Sequence, residues 1–142
     1  MNPFLSLRDY EIFVYTLPEQ YAQIVVSSTL TVARRGRLFA ELTGGLAFLN
    51  GYRLLIYKRL VWDTGSLRIE DYGYEVWIGA EQLYWYDSQP HPNDATLAST
   101  HPHHKHVPPD IKHHRIPAPG LSFTSPNLAF LIGEIETTLS SS

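Results

Sequence analysis

The sequence predicts an α+β domain, an antiparallel meander of about five strands packed against an N-terminal and a C-terminal helix. Three observations predict it: helical apolar spacing near both ends of the chain, a middle rich in branched and aromatic residues cut by hairpin turns, and a proline- and histidine-rich segment without a period. With 142 residues, 44% of them hydrophobic, the chain is sized as one domain, 1–142, with its own core. It contains no cysteine, which excludes disulfides, zinc knuckles and thiolate chemistry. A metal would have to sit on histidine, carboxylate or carbonyl oxygen.

Taken in order, Ile12, Phe13, Leu17 and Tyr21 fall near helical spacing, so a helix is expected over about 7–21, ended or kinked at Pro18. Residues of about 25–88 read as strands. Asn50-Gly51 has the composition of a type I′ hairpin turn, Asp63-Thr64-Gly65-Ser66 marks a second turn, and 79–82 a third. Strands joined so tightly must run antiparallel. From about 89 to 125 the chain reads as a loop, with prolines at 90, 92, 102, 108, 109, 117 and 119. Ser125-Pro126 then has the form of an N-cap followed by proline at the first helical position, and Leu128, Leu131, Ile132, Ile135 and Leu139 give an apolar stripe, so the last helix is expected over about 126–139. Two terminal helices are the available cover for the sheet.

The net charge of −3 argues against a dedicated duplex-DNA binder. All seven histidines, His91, His101, His103, His104, His106, His113 and His114, lie within 91–115, beside Lys105, Lys112 and Arg115 and only two acids, Asp94 and Asp110. This is the stretch whose charge changes near neutral pH. Three readings stand side by side. Two imidazoles can work as general base and acid with Lys105 on the developing charge, which suits metal-free RNA cleavage, where the 2′-hydroxyl is the nucleophile. Alternatively, His101, His103, His104 and His106, with Asp87, Asp94 or Asp110, can hold a divalent metal ion. The third reading is a solvated loop.

A second constellation is aromatic. Tyr72 and Tyr74 share one strand face, as do Tyr84 and Tyr86, and can line a groove or simply form sheet core; Trp62, Trp77 and Trp85 read as core or interface. Asp87 closes its strand just before the loop, placed either to orient an imidazole or to cap the turn. The basic run Arg34-Arg35-Gly36-Arg37 and the pair Lys58-Arg59 read as solvated edge charge or as phosphate contacts. No phosphate-binding glycine loop, GxSxG elbow or helix-turn-helix pattern is present.

At Tyr72-x-Tyr74, Asp87, Pro90-His91-Pro92 and, above all, Pro102-His103-His104-Lys105-His106, the chain resembles the TumE family of toxin–antitoxin proteins. Glu75 stands where many members carry histidine. The resemblance implies a toxin presumed to act on RNA, paired with a helix-turn-helix antitoxin, and carries Tyr72, Tyr74, Asp87, His91, His103, His104, Lys105 and His106 over as site residues. The expectation is a ribonuclease without cofactor, in which His103 or His104 is the base, His106 or His91 the acid, and Lys105 meets the phosphate. The alternative is a non-catalytic module that binds a metal or a partner. The opening Met1-Asn2-Pro3-Phe4-Leu5 lacks a basic signal-like region and no stretch is apolar enough to span a membrane, so the expected location is cytoplasmic. Exposed aromatic strands suggest a homodimer.

Overall fold

A computed structural model describes residues 2–63 and 65–141. Helix α1 (Leu7–Tyr15) starts at Ser6, whose Oγ accepts the Asp9 N–H at 3.1 Å, leaving Asp9 in the first turn near the positive end of the helix. It stops at Thr16. A short α2 (Leu17–Gln20) resumes with Pro18 near its start, where a missing N–H costs no hydrogen bond, so the expected helix over 7–21 is split in two. The inward face is Tyr10, Val14 and Leu17, while Ile12 of the expected stripe is exposed. Tyr10 turns inward because its hydroxyl accepts from Lys58 Nζ at 3.0 Å and its ring packs edge-on against Phe4.

Among the described residues eight strands form one antiparallel sheet: β1 (Val25–Ser28), β2 (Thr31–Arg34), β3 (Phe39–Phe48), β4 (Tyr52–Trp62), β5 (Leu67–Ile78), β6 (Glu81–Asp87), β7 (His104–His106) and β8 (Arg115–Pro117). Their order is β1-β3-β4-β5-β6-β7-β8, with β2 also on β3. The count exceeds the expected five for two reasons. The first strand breaks at Thr29-Leu30, which crosses Gly44 so closely that a Cβ there would lie 2.3 Å from the Thr29 carbonyl oxygen. The expected loop also carries β7 and β8, three residues each, too short to show a period of two.

The turns follow their chemistry. Asn50 (φ 63°) and Gly51 (φ 84°) are both left-handed, and Gly79 (φ 56°) opens the two-residue link between Ile78 and Glu81. Thr64 of the expected turn over 63–66 lies outside the described residues.

Helix α3 (Leu128–Ser140) starts two residues later than expected, after Asn127 rather than after Ser125. Asn127 takes φ 68° because its side chain is committed elsewhere, Nδ2 donating to the Tyr74 hydroxyl and the Ser122 carbonyl, and Oδ1 accepting the Ser122 N–H. Leu128, Leu131, Ile132 and Ile135 then cover the core face of the sheet, where Leu54, Ile56, Leu60, Tyr72, Tyr74, Val76 and Tyr86 are buried. Lys58 is fully buried among them and donates to Tyr10 Oη and to the Pro126 carbonyl, so it is not available to phosphate. Trp77 and Trp85, expected in a core or interface, are half-buried and outside the core cluster, on the opposite face. No described helix is long and apolar enough to cross a membrane.

Candidate functional site

Strand register builds the site. Across the outer face one row runs Tyr57, Gly73, Asp87, His104 and Pro117, and the next Leu55, Glu75, Trp85, His106 and Arg115. Period-two alternation on β7 therefore sends His104 and His106 to the face that carries Asp87 and turns Lys105 to the other. The 88–114 segment folds back over this corner of the sheet and buries both imidazoles, at 1% and 4% exposure.

Three atoms converge there. His104 Nε2 lies 2.8 Å from Asp87 Oδ1, His106 Nε2 lies 3.3 Å from Asp87 Oδ2, and the two Nε2 atoms are 3.1 Å apart. Each ring is fixed from behind, His104 Nδ1 against the Pro102 carbonyl at 3.0 Å and His106 Nδ1 against the Ile111 carbonyl at 2.9 Å. A carbonyl only accepts, so both Nδ1 atoms carry the proton and both Nε2 lone pairs of the neutral rings face Asp87. Trp85 stacks on His106 at 3.8 Å and gives its indole N–H to Asp87 Oδ2 at 3.0 Å.

The charges respond to this packing. Burial opposes ionisation of Asp87, but the hydrogen bonds from His104 and Trp85 outweigh it and take the carboxyl down to about 2. Burial likewise disfavours the His104 cation, and the hydrogen bond to Asp87 reverses that, so its pKa is raised. For His106 burial prevails and the pKa falls. The same holds for His91, where the Arg115 charge adds to burial, and for His103, where His101 and His104 add to it.

The other expected residues divide into two groups. His91 packs edge-on against His104 at 4.8 Å, with Arg115 Nη1 3.0 Å from its ring nitrogens. His103 stacks on Tyr72, its Nδ1 2.6 Å from the phenol oxygen, and leans on Phe123. Burial and the nearby Asp87 charge raise the pKa of Tyr72, so it stays a hydroxyl. Tyr74 is wholly inside the core, stacked on Tyr72. Lys105 lies on the core face over the rings of Tyr84 and Tyr86, 3.3 Å from Glu134, which also accepts from the Tyr86 hydroxyl. His101 is exposed on the loop, and His113 pairs with Asp110. A cleft of about 680 Å³ opens beside the centre, lined by Tyr57, Tyr72, Gly73, Asp87, Ser88 and Phe123 among others.

Sequence patterns alone do not single out two residues of this neighbourhood. Arg115 is the cation nearest His91, and its buried Nε has no hydrogen-bond partner. It escapes notice because β8 is too short to reveal its pairing with β7. Glu134 sits beside the apolar stripe of α3, and only the fold brings it to Lys105.

Asp87, His104 and His106 form the one group among the described residues with metal-ligand composition and spacing, their ligand atoms all within 4.8 Å. A comparison with protein-family models matches residues 15–139 to the family described as Toxin TumE. No match is found among the curated proteins, and none among the solved structures.

Proposed function

The chain belongs to the TumE toxin family, and from that premise we propose that it acts on RNA as a ribonuclease at the cleft beside Asp87, His104 and His106. The observation that carries the reading is the convergence of two buried imidazoles on one carboxylate, Asp87, which itself lines an open cleft. RNA brings its own nucleophile, so the protein has only to move protons and hold charge. His106, kept neutral by burial and with its Nε2 lone pair turned into the centre, takes the proton of the 2′-hydroxyl. The 2′-oxygen bonds to phosphorus, the 5′-oxygen leaves with the proton of the His104 imidazolium, and the products are a 2′,3′-cyclic phosphate and a 5′-hydroxyl. Arg115, beside His91, meets the phosphate. Lys105 acts at one remove, holding Glu134 and Tyr86 under β6 and β7.

One observation favours a metal-assisted version. A single proton shared by the centre satisfies the His104 contact with Asp87 and leaves the His106 lone pair facing a carboxylate oxygen at 3.3 Å. A second proton sets two cations 3.1 Å apart. A divalent cation would be held by Asp87, His104 and His106 and would supply the positive charge these acceptors lack, and the Nδ1–carbonyl bonds give the two rings the support that metal-bound histidines usually have.

The toxin family makes an antitoxin the expected kind of partner, and this reading assigns one of helix-turn-helix type. The test is cleavage of a labelled RNA pool, in chelator and with added zinc or manganese, beside a His103→Ala/His104→Ala double variant. Cleavage in chelator that the variant lacks supports proton transfer by the imidazoles; cleavage that needs the ion supports the metal version. No cleavage by folded protein under either condition overturns the reading.

A further inference from the structure

Gly73 has no structural reason to be glycine. It lies in the middle of β5, where glycine weakens a strand, and its φ is outside the left-handed region. A Cβ added there would meet no atom within 4 Å, so neither backbone nor packing demands its absence. A glycine in a strand is often covered by the aromatic ring opposite it. That explanation fails here, because Tyr57 is the cross-strand partner and none of its ring atoms comes within that distance.

The empty position is placed next to the centre. Gly73 lies between Tyr57 on β4 and Asp87 on β6 in one row of the sheet, with Trp85 on the adjacent row. Two clefts, one holding Tyr57 and Asp71 and the other Glu75 and Trp85, share Gly73 and Asp87 as their common wall. With no side chain at Gly73, both hollows border the same bare stretch of β5 beside the carboxylate. A flat, ring-shaped group can lie against this peptide, flanked by two aromatic side chains. The carboxylates at its rim, Asp71 and Asp87, accept hydrogen bonds from the amines of such a ring.

We propose that the gap over Gly73, between Tyr57, Trp85 and Asp87, is the subsite for an unpaired nucleobase of the RNA, which sets the neighbouring phosphodiester against the His104–Asp87 corner. This rests on the ribonuclease reading and specifies where the substrate lies within it. It does not depend on whether the centre works with a proton or a metal ion.

The test uses the full chain with Gly73→Val and, as the smaller step, Gly73→Ala. Both should keep or raise the melting temperature, since each is a better strand residue with room for its Cβ. Binding of labelled oligonucleotides that carry 2′-deoxyribose, and so have no internal nucleophile, should weaken about tenfold or more in Gly73→Val, the range that loss of one stacked base implies. RNA cleavage should fall with it. Variants with wild-type stability and wild-type binding overturn the subsite. A wild-type protein that binds the deoxy-substituted probe yet cleaves no RNA removes the ribonuclease reading and leaves the subsite standing, provided Gly73→Val loses the probe. A wild-type protein that binds no oligonucleotide overturns both. Unchanged oligonucleotide binding with lost neutralisation by the antitoxin assigns the gap to that partner and overturns the base subsite.

Discussion

The two faces of the sheet across β4 to β7 both bury ionisable groups, and they do so with opposite hydrogen-bond balances. On the core face donors meet acceptors: Lys58 gives protons to Tyr10 and the Pro126 carbonyl, Asn127 to Tyr74, and Tyr86 and Lys105 to Glu134. On the outer face acceptors are in surplus: Asp87 accepts from the Trp85 indole and the Gln89 N–H, and the Nε2 lone pairs of two neutral imidazoles also turn toward it with no donor between. A closed network holds a fold together, whereas an acceptor surplus needs a proton, an ion or a substrate to complete it. In the proposed function, the first face serves as scaffold and the second as the site.

The largest effect expected from this contrast is on catalysis. Asp87→Asn keeps shape and removes the charge, so RNA cleavage should fall by about 10²–10⁴-fold with the circular dichroism spectrum unchanged. An Asp87→Asn protein with wild-type rates would move the site off this face. Next in size is stabilisation by an ion. Saturating zinc or manganese should raise the unfolding free energy by about 3 kcal/mol when added at a hundred times the dissociation constant, and His104→Gln/His106→Gln should abolish the gain. On the core face Tyr74→Phe leaves the Asn127 amide short of a buried acceptor and should cost about 1–3 kcal/mol in a denaturant titration, while the cleavage rate of the folded fraction stays constant.

Lys58 sharpens the comparison through pH. Burial lowers its pKa well below 10.5, so the unfolded chain binds a proton that the folded chain releases between the two values. Over that window the unfolded state holds more protons, and stability must rise with pH. Measured from about pH 7 to 9, below the range where tyrosines ionise, wild-type stability should climb and the Lys58→Met slope should be flatter. The smallest effect separates two cations. Arg115→Gln should reduce the salt dependence of binding to single-stranded RNA by about 0.7 in the log–log slope, one phosphate contact, whereas Lys105→Gln should leave the slope unchanged because its ammonium faces Glu134.

Much of this architecture is legible in the sequence because it is encoded locally. Asn50-Gly51 dictates its hairpin, Pro18 its helix break, and simple alternation along an extended chain puts His104 and His106 on one face and Lys105 on the other. The pairing of these histidines with Asp87 is different. It depends on a three-residue strand lying in register beside β6 after a loop of sixteen residues over 88–103, and no period marks either fact. Arg115 enters the neighbourhood through the pairing of β8 with β7, and Glu134 through the packing of α3 against the sheet. Tyr74 and Lys58 show the converse, for their residue types suggest chemistry and only burial reveals that each is spent on the core. Gly73 looks like a weak point in a strand until the open space above it is seen.

The proposed function assigns the toxic activity to the outer-face centre and not to the histidine-rich loop as a whole. Growth after induced expression tests it most directly, comparing wild type with His104→Gln/His106→Gln and with His101→Ala/His113→Ala at matched levels of folded protein. Arrest is expected with wild type and with the His101/His113 variant, and normal growth with the His104/His106 variant. Arrest by the His104/His106 variant, or rescue by loss of His101 and His113, would contradict it.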